Sequence, residues 1–300
     1  MNKNPQTNRF WRILGPILGY FGIQFLAQFF VQMGIMMAHI QEIAAVMQGA
    51  DAMTYSEMMT ELTVKLAGWM VEYQGLIAGF VALFTLPLPF FLYRRDRKLE
   101  QALKLPVNKK APMKKYGWIL LFGVAFGLAS NVLIVMSGLA MKDTSYLNVS
   151  KTLYSQGMGV MLLCQGILVP LTEEWMFRGV LYRRCREQMP FWSAAFSVSL
   201  LFAFMHGSIT QLTYTLVLGL FLAYVYEKFG SLKAPILLHM VLNCLSVVIT
   251  KENILLWICS DMMRMSVSVI ICAFLGALAF VEIRKLQEKP DVVIPENVEP

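Results

Sequence analysis

Charge is scarce in this chain. Aspartate, glutamate, lysine and arginine make up 15% of its 300 residues while hydrophobic residues make up 57%, against about a quarter charged in an ordinary soluble domain. That shortage excludes a soluble fold, and the apolar runs leave no room for a separate soluble domain. Period-2 alternation is missing from those runs, which excludes an outer-membrane barrel. No internal repeat is visible, so the inverted-repeat plan of many secondary transporters finds no support. The H-E-x-x-H zinc helix is absent, so no metal is argued from spacing. The five cysteines include no C-x-x-C pair and read as small hydrophobes.

What the chain does contain is a succession of apolar windows near the length of about 20 residues that spans a bilayer. They fall at about 11–37, 69–92, 117–141, 158–180, 191–206, 211–226, 235–250 and 263–282. In lipid the backbone must satisfy its own hydrogen bonds, so the windows are expected to be helices. The fold class is therefore all-α: a polytopic transmembrane bundle of about eight helices, forming one domain over 1–286. The first window follows Lys3 and Arg9 and could pass for a signal peptide, but it is about 25 residues long with no clear cleavage site, and is expected to be retained. Residues 287–300, with Pro290, Pro295 and Pro300, are expected to be a disordered cytoplasmic tail. The 21 methionines read as lipid-facing and packing residues, with no cluster that would make a soft-metal site.

The net charge of +7 reflects topology rather than a nucleic-acid partner. Arg94, Arg95, Arg97, Lys98, Lys104, Lys109, Lys110, Lys114 and Lys115 crowd one loop. Arg183, Arg184 and Arg186 fall two helices later, whereas 38–68 is mostly acidic. The positive-inside rule puts both termini in the cytoplasm and 38–68, 142–157 and 251–262 outside, in a cell membrane.

Ionisable side chains inside such spans are costly and mark function by default. Glu72 and Glu282 lie near span ends, where they reach the interface, and His39 at a helix end is expected to be solvated. Glu173 and Glu174 differ, because they sit between the apolar run 158–171 and Trp175-Met176-Phe177. Arg178 stands four residues after Glu174, on the same helical face and at ion-pair distance. Glu173, turned about 100° away, is left free for chemistry. Pro170 removes a backbone donor just ahead and is expected to kink the helix and open a polar pocket. His206 closes the run 191–205, and His239 shares a face with Asn243.

Depth is consistent with a meeting of these groups. At about 1.5 Å per residue, Glu173 lies about 10–15 Å from the basic cluster, His239 about 8–10 Å from Lys233 and His206 about 20–24 Å from Pro190. The fifth and sixth helices read as short, with Gly207-Ser208-Ile209-Thr210-Gln211 between them, so a hairpin turning inside the membrane around a cavity is expected. A carboxylate beside two imidazoles and an amide suits activation of water and stabilisation of an oxyanion. The same residue types also suit a divalent metal, zinc above all, on Glu173, His206 and His239. Both chemistries stay open at this point.

Glu173-Glu174-Trp175-Met176-Phe177-Arg178 resembles the E-E-x-x-x-R motif of the CAAX-protease and bacteriocin-processing family, the type II CAAX prenyl endopeptidase group. Phe202 to His206 is similar to its F-x-x-x-H motif, and His239 to Asn243 to its H-x-x-x-N/D motif. The three occur in the family's order over about 155–250. The resemblance implies an intramembrane endopeptidase in which Glu173 activates water and Glu174 with Arg178 supports it. His206, His239 and Asn243 would then position the water, polarise the scissile carbonyl or bind metal, and Phe202 would pack. The substrate would be a peptide or a membrane-protein tail at the lipid bilayer. The competing expectations are a peptide-binding or bacteriocin-immunity protein that uses the pocket without cutting, a proton-coupled transporter, and a purely structural set of ion pairs and interhelical hydrogen bonds.

Overall fold

The computed structural model describes residues 5–48, 54–104, 109–153 and 156–286. The described residues are helical throughout, with short connections. Helix α1 (Pro5–Ala38) is followed by α2 (Ile40–Gln48), α3 (Tyr55–Glu72), α4 (Gln74–Thr85) and α5 (Pro87–Ala102). Then come α6 (Tyr116–Met136) and two short helices, α7 (Leu139–Lys142) and α8 (Thr144–Leu153). The long α9 (Met158–Arg186) precedes α10 (Phe191–Phe204), α11 (Ile209–Phe229) and α12 (Lys233–Lys251), and α13 (Ile254–Cys259) leads into α14 (Met262–Arg284).

Among the described residues, seven stretches are long and apolar enough to cross a membrane, α4 and α5 together making one of them. The all-α, multi-pass reading is thus borne out, with refinements. The expected second span, 69–92, is displaced: the chain breaks at Tyr73 (φ −95°, ψ 5°), so Glu72 ends α3 and the span runs Gln74–Ala102. Apolar composition continues across that break, so hydropathy could not place it. Of the expected short hairpin, only α10 is short. Its 14 residues reach about 21 Å, less than the hydrocarbon thickness, whereas the 21 residues of α11 suffice to span. The predicted tail at 287–300 lies outside the described residues.

His39 is the clearest correction. It sits between α1 and α2 with its ring stacked on Trp69 (centroids 4.3 Å apart, 18° between planes) and its Nδ1 2.7 Å from Glu42 Oε1. Trp69 is 30 residues away in sequence, a partner that helix-end position alone could not reveal.

Large apolar side chains face outward all along α1, Phe25, Phe29 and Phe30 among them, as expected where lipid rather than water is the solvent. Burial concentrates in α9 to α12. Phe177, Val198, Phe202, Ala223 and Tyr226 pack in one cluster, and Ile119, Leu222, Phe229, Leu238 and Ala279 in a second. In lipid, helices gain most by letting small residues bring backbones together, and α10 meets α11 in this way. A Cβ on Gly219 would stand 2.7 Å from Ser199 Cβ and 3.1 Å from its Cα. Gly219→Ala is therefore expected to cost about 1–3 kcal/mol through overpacking. It should lower the thermal midpoint in detergent relative to the wild type.

At the basic end of the bundle, ion pairs tie the spans. Arg184 donates from Nε and Nη2 to both carboxylate oxygens of Asp96 (2.7 and 3.0 Å), with its side chain 1% exposed. Arg186 and Tyr182 both donate to Glu227 Oε1 (2.9 and 2.7 Å). At the opposite end Asp143 accepts from the backbone N–H of Thr210 at 3.0 Å and of Tyr146 at 2.9 Å. These two amides, Thr210 first, hold its carboxyl below the usual aspartate range. Asp143 thereby clasps α8 to the first turn of α11.

Candidate active site

Helix α9 is not uniformly wound. Leu162–Leu168 and Trp175–Tyr182 are π-helical, and the α-helical turn Val169–Glu174 lies between them. The amide of Val169 reaches back five residues to Cys164 O, so the wide turn ends at the residue before Pro170, which has no donor to offer. Such wide turns alter which side chains share a face, and they recur at functional sites. Here they bracket Glu173 and Glu174.

The two glutamates part company. Glu174 is fully buried, and its Oε1 accepts from Arg178 Nη1 at 2.8 Å and from His239 Nδ1 at 2.9 Å. Arg178 is equally buried, donates from Nη2 to Gly219 O at 3.2 Å and lies 4.8 Å over the Phe202 ring. The ion pair expected from the i, i+4 spacing is present. Its link to His239, 65 residues on, was not legible from sequence. Glu173 retains 21% side-chain exposure and stands 3.8 Å from His239 Nε2, beyond a direct hydrogen bond and within reach of one bridging water.

Glu173, His206, His239 and Asn243 line one cavity of about 220 Å³, together with Gln211 and Tyr214. The three motifs, spread over 70 residues, thus converge on one space. Glu174 and Arg178 stand behind His239 rather than in the cavity wall. Each ring is anchored at one nitrogen: His239 Nδ1 faces a carboxylate, and His206 Nδ1 faces Phe202 O at 2.9 Å. Since a carbonyl or carboxylate can only accept, both Nδ1 atoms carry the proton, and in its neutral form each ring presents Nε2 as an acceptor. Asn243 donates from Nδ2 to Gln165 O at 3.0 Å, which ties α12 to α9 and leaves a second amide hydrogen. Phe202 sits edge-on to both His206 and His239 (centroids 4.9 and 5.8 Å), the packing role expected of it.

The anchoring of each Nδ1 is the outer-shell arrangement that metal-bound histidines use. Among the described residues, however, no group of three His, Cys, Asp or Glu side chains is placed to hold an ion. As disposed here, the residues do not fit a metal centre.

Gln211, Tyr214 and Thr215 of α11 also line the cavity; the sequence offered Gln211 only as the end of the connection around a cavity and did not single out the other two. Four polar residues within the five positions 211–215 of an apolar helix were the available signal, but uncharged side chains carry a smaller penalty in lipid and drew less notice.

Fold and site together define a multi-pass helical membrane protein whose ionisable side chains converge on an enclosed space between spans. Residues 155–245, which contain all six candidate residues, match the family described as "Type II CAAX prenyl endopeptidase Rce1-like", and the resemblance read from the motifs is borne out over that segment. The chain is also similar to the "Putative membrane peptidase YdiL" of Bacillus subtilis (strain 168), at 24% identity over 99 residues. That alignment covers 33% of this chain and 41% of the relative. No solved structure matches the chain significantly.

Proposed function

We propose that the protein is an intramembrane endopeptidase in which Glu173 is the general base. The observation that carries this is the division of labour between adjacent acids: Glu174 is locked against Arg178 and His239, while Glu173 faces a cavity with His239 Nε2 at 3.8 Å. A water between Glu173 and His239 would be held by two acceptors, leaving an oxygen lone pair for a scissile carbonyl carbon. As that bond forms, Glu173 takes the proton, and it then delivers it to the leaving amine as the C–N bond breaks. The free amide hydrogen of Asn243 is the donor suited to the developing oxyanion. His206 and His239 orient water through Nε2, and each can donate there once protonated. Glu174 stabilises the imidazolium form of His239.

The substrate is a peptide at or within the bilayer, and the positive-inside rule applied to the basic loops supports a topology with both termini cytoplasmic. Cleavage of membrane-tethered peptides by purified protein in proteoliposomes tests the reading. Capture of peptides without any product would assign the pocket to binding or immunity instead.

The disposition of the ligands also yields an expectation about metal. Cleavage should persist after exhaustive chelation, with less than one equivalent of zinc per chain in the purified protein. Stoichiometric zinc that is lost in His239→Ala, together with activity, would replace the glutamate route by a metal-assisted one.

A further inference from the structure

The Glu173 cavity has a neighbour. A second cavity of about 90 Å³ lies where α6, α8, α11 and α12 meet, and Ser130, Asn131, Tyr146, Ser150, Gln211 and Ser246 form its polar wall. Gln211, Tyr214, Asn243 and Ser246 line both spaces, so the annex and the Glu173 cavity share a wall. Among the described residues, no Asp, Glu, Lys or Arg lines the annex. Asn131 donates from Nδ2 to Gly127 O at 2.8 Å and to Ser246 Oγ at 3.2 Å, which fixes its amide between α6 and α12. Gln211 is 7% exposed, and its Oε1 is buried with no hydrogen-bond partner among the described residues.

Apart from Asn243, none of these side chains is used by the water-activating groups. Polar side chains inside a bundle require partners, and an orphaned buried acceptor costs about 1–3 kcal/mol until a donor reaches it. Gln211 belongs to the wall between the two cavities.

We infer that the annex is a specificity subsite for one short, uncharged, hydrogen-bonding side chain of the substrate, of the Asn, Gln, Ser or Thr type. Gln211 is its positioning residue, with Oε1 accepting from that side chain or from the adjoining peptide N–H. This inference rests on the peptidase reading and specifies its substrate. The chemistry excludes the alternatives in turn. A charged side chain would be desolvated without a counter-ion. An aliphatic one would leave Gln211 Oε1 without a donor, the situation in which polar sites discriminate most strongly. An aromatic ring of the larger kind finds too little room in about 90 Å³.

The test uses a host membrane-spanning peptide carrying Gln, Leu or Lys at each successive position near its end, with a photoreactive group, in phosphatidylcholine vesicles. Crosslinking to Glu173→Gln protein reads binding, and product formation by wild type reads cleavage. At one position Gln is expected to exceed both Leu and Lys about 10-fold in crosslinking. Asn131→Leu, and independently Ser150→Leu at the α8 side of the annex, should each reduce that preference to about twofold or less while the Leu peptide is still captured. Gln211→Met should weaken capture of the Gln peptide about 3–10-fold, the value of one hydrogen bond. The inference is overturned if no position shows the preference, or if both filling substitutions leave it unchanged. Selective crosslinking without wild-type cleavage would keep the subsite and remove the peptidase. Cleavage without selectivity would do the reverse.

Discussion

Glu173→Gln is expected to reduce peptide hydrolysis about 10²–10⁴-fold, the range that a positioned general base contributes, while leaving the fold in place. The substitution keeps the shape of the side chain and removes only its capacity to take a proton. Stability should hold because Glu173 does not carry the interior's electrostatics. Glu174 Oε1 alone accepts from both Arg178 and His239, and Glu173 is the partly exposed member of the pair of acids. The measurement is the rate of product formation in proteoliposomes, alongside thermal midpoints of wild type and variant in the same detergent. Midpoints within a degree or two with cleavage lost would support the assignment. Undiminished cleavage would sink it, and a large drop in midpoint would show that Glu173 is a structural acid like its neighbour.

The distinction between those acids was partly legible in the sequence, for a local reason. Four residues on a helix bring side chains together wherever the helix sits, so the Glu174–Arg178 pair follows from spacing alone. The convergence of Glu173, His206, His239 and Asn243 on one cavity is a tertiary fact, and the sequence offered only motif order and similar depths along separate helices. What sequence could not supply were partners set by packing. His239 Nδ1 finds Glu174, Asp96 finds Arg184 and Thr210 finds Asp143, at separations no local rule reaches. The π-wound turns around Val169–Glu174 were also hidden, because Pro170 signals only a missing donor and not how the chain absorbs it. The break at Tyr73 was missed for a different reason. Hydropathy is a windowed average, and it flows smoothly across a junction whose two sides are both apolar.

Arg178→Met should produce the largest loss of stability of any single substitution in the site, about 3–5 kcal/mol, the usual consequence of removing one partner of a buried ion pair. The cause is what remains rather than what is lost. Glu174 would keep a fully buried carboxylate whose Oε2 already has no hydrogen-bond partner among the described residues. Its Oε1 would then rest on His239 alone. Gly219 O would also lose its donor, weakening the contact of α9 with α11. The double variant Glu174→Gln with Arg178→Met removes both charges, so much of the lost stability should return, as a coupling energy of opposite sign to the single effects. Cleavage should not return with it. A glutamine at 174 can offer His239 Nδ1 either an oxygen or an N–H, so the ring is no longer held with its proton on Nδ1 and Nε2 facing Glu173. Thermal midpoints and turnover measured on the four members of this cycle separate the two roles of the pair. Stability restored without activity means that Glu174 fixes the tautomer of His239. Activity restored together with stability means that the pair only holds the helices in place.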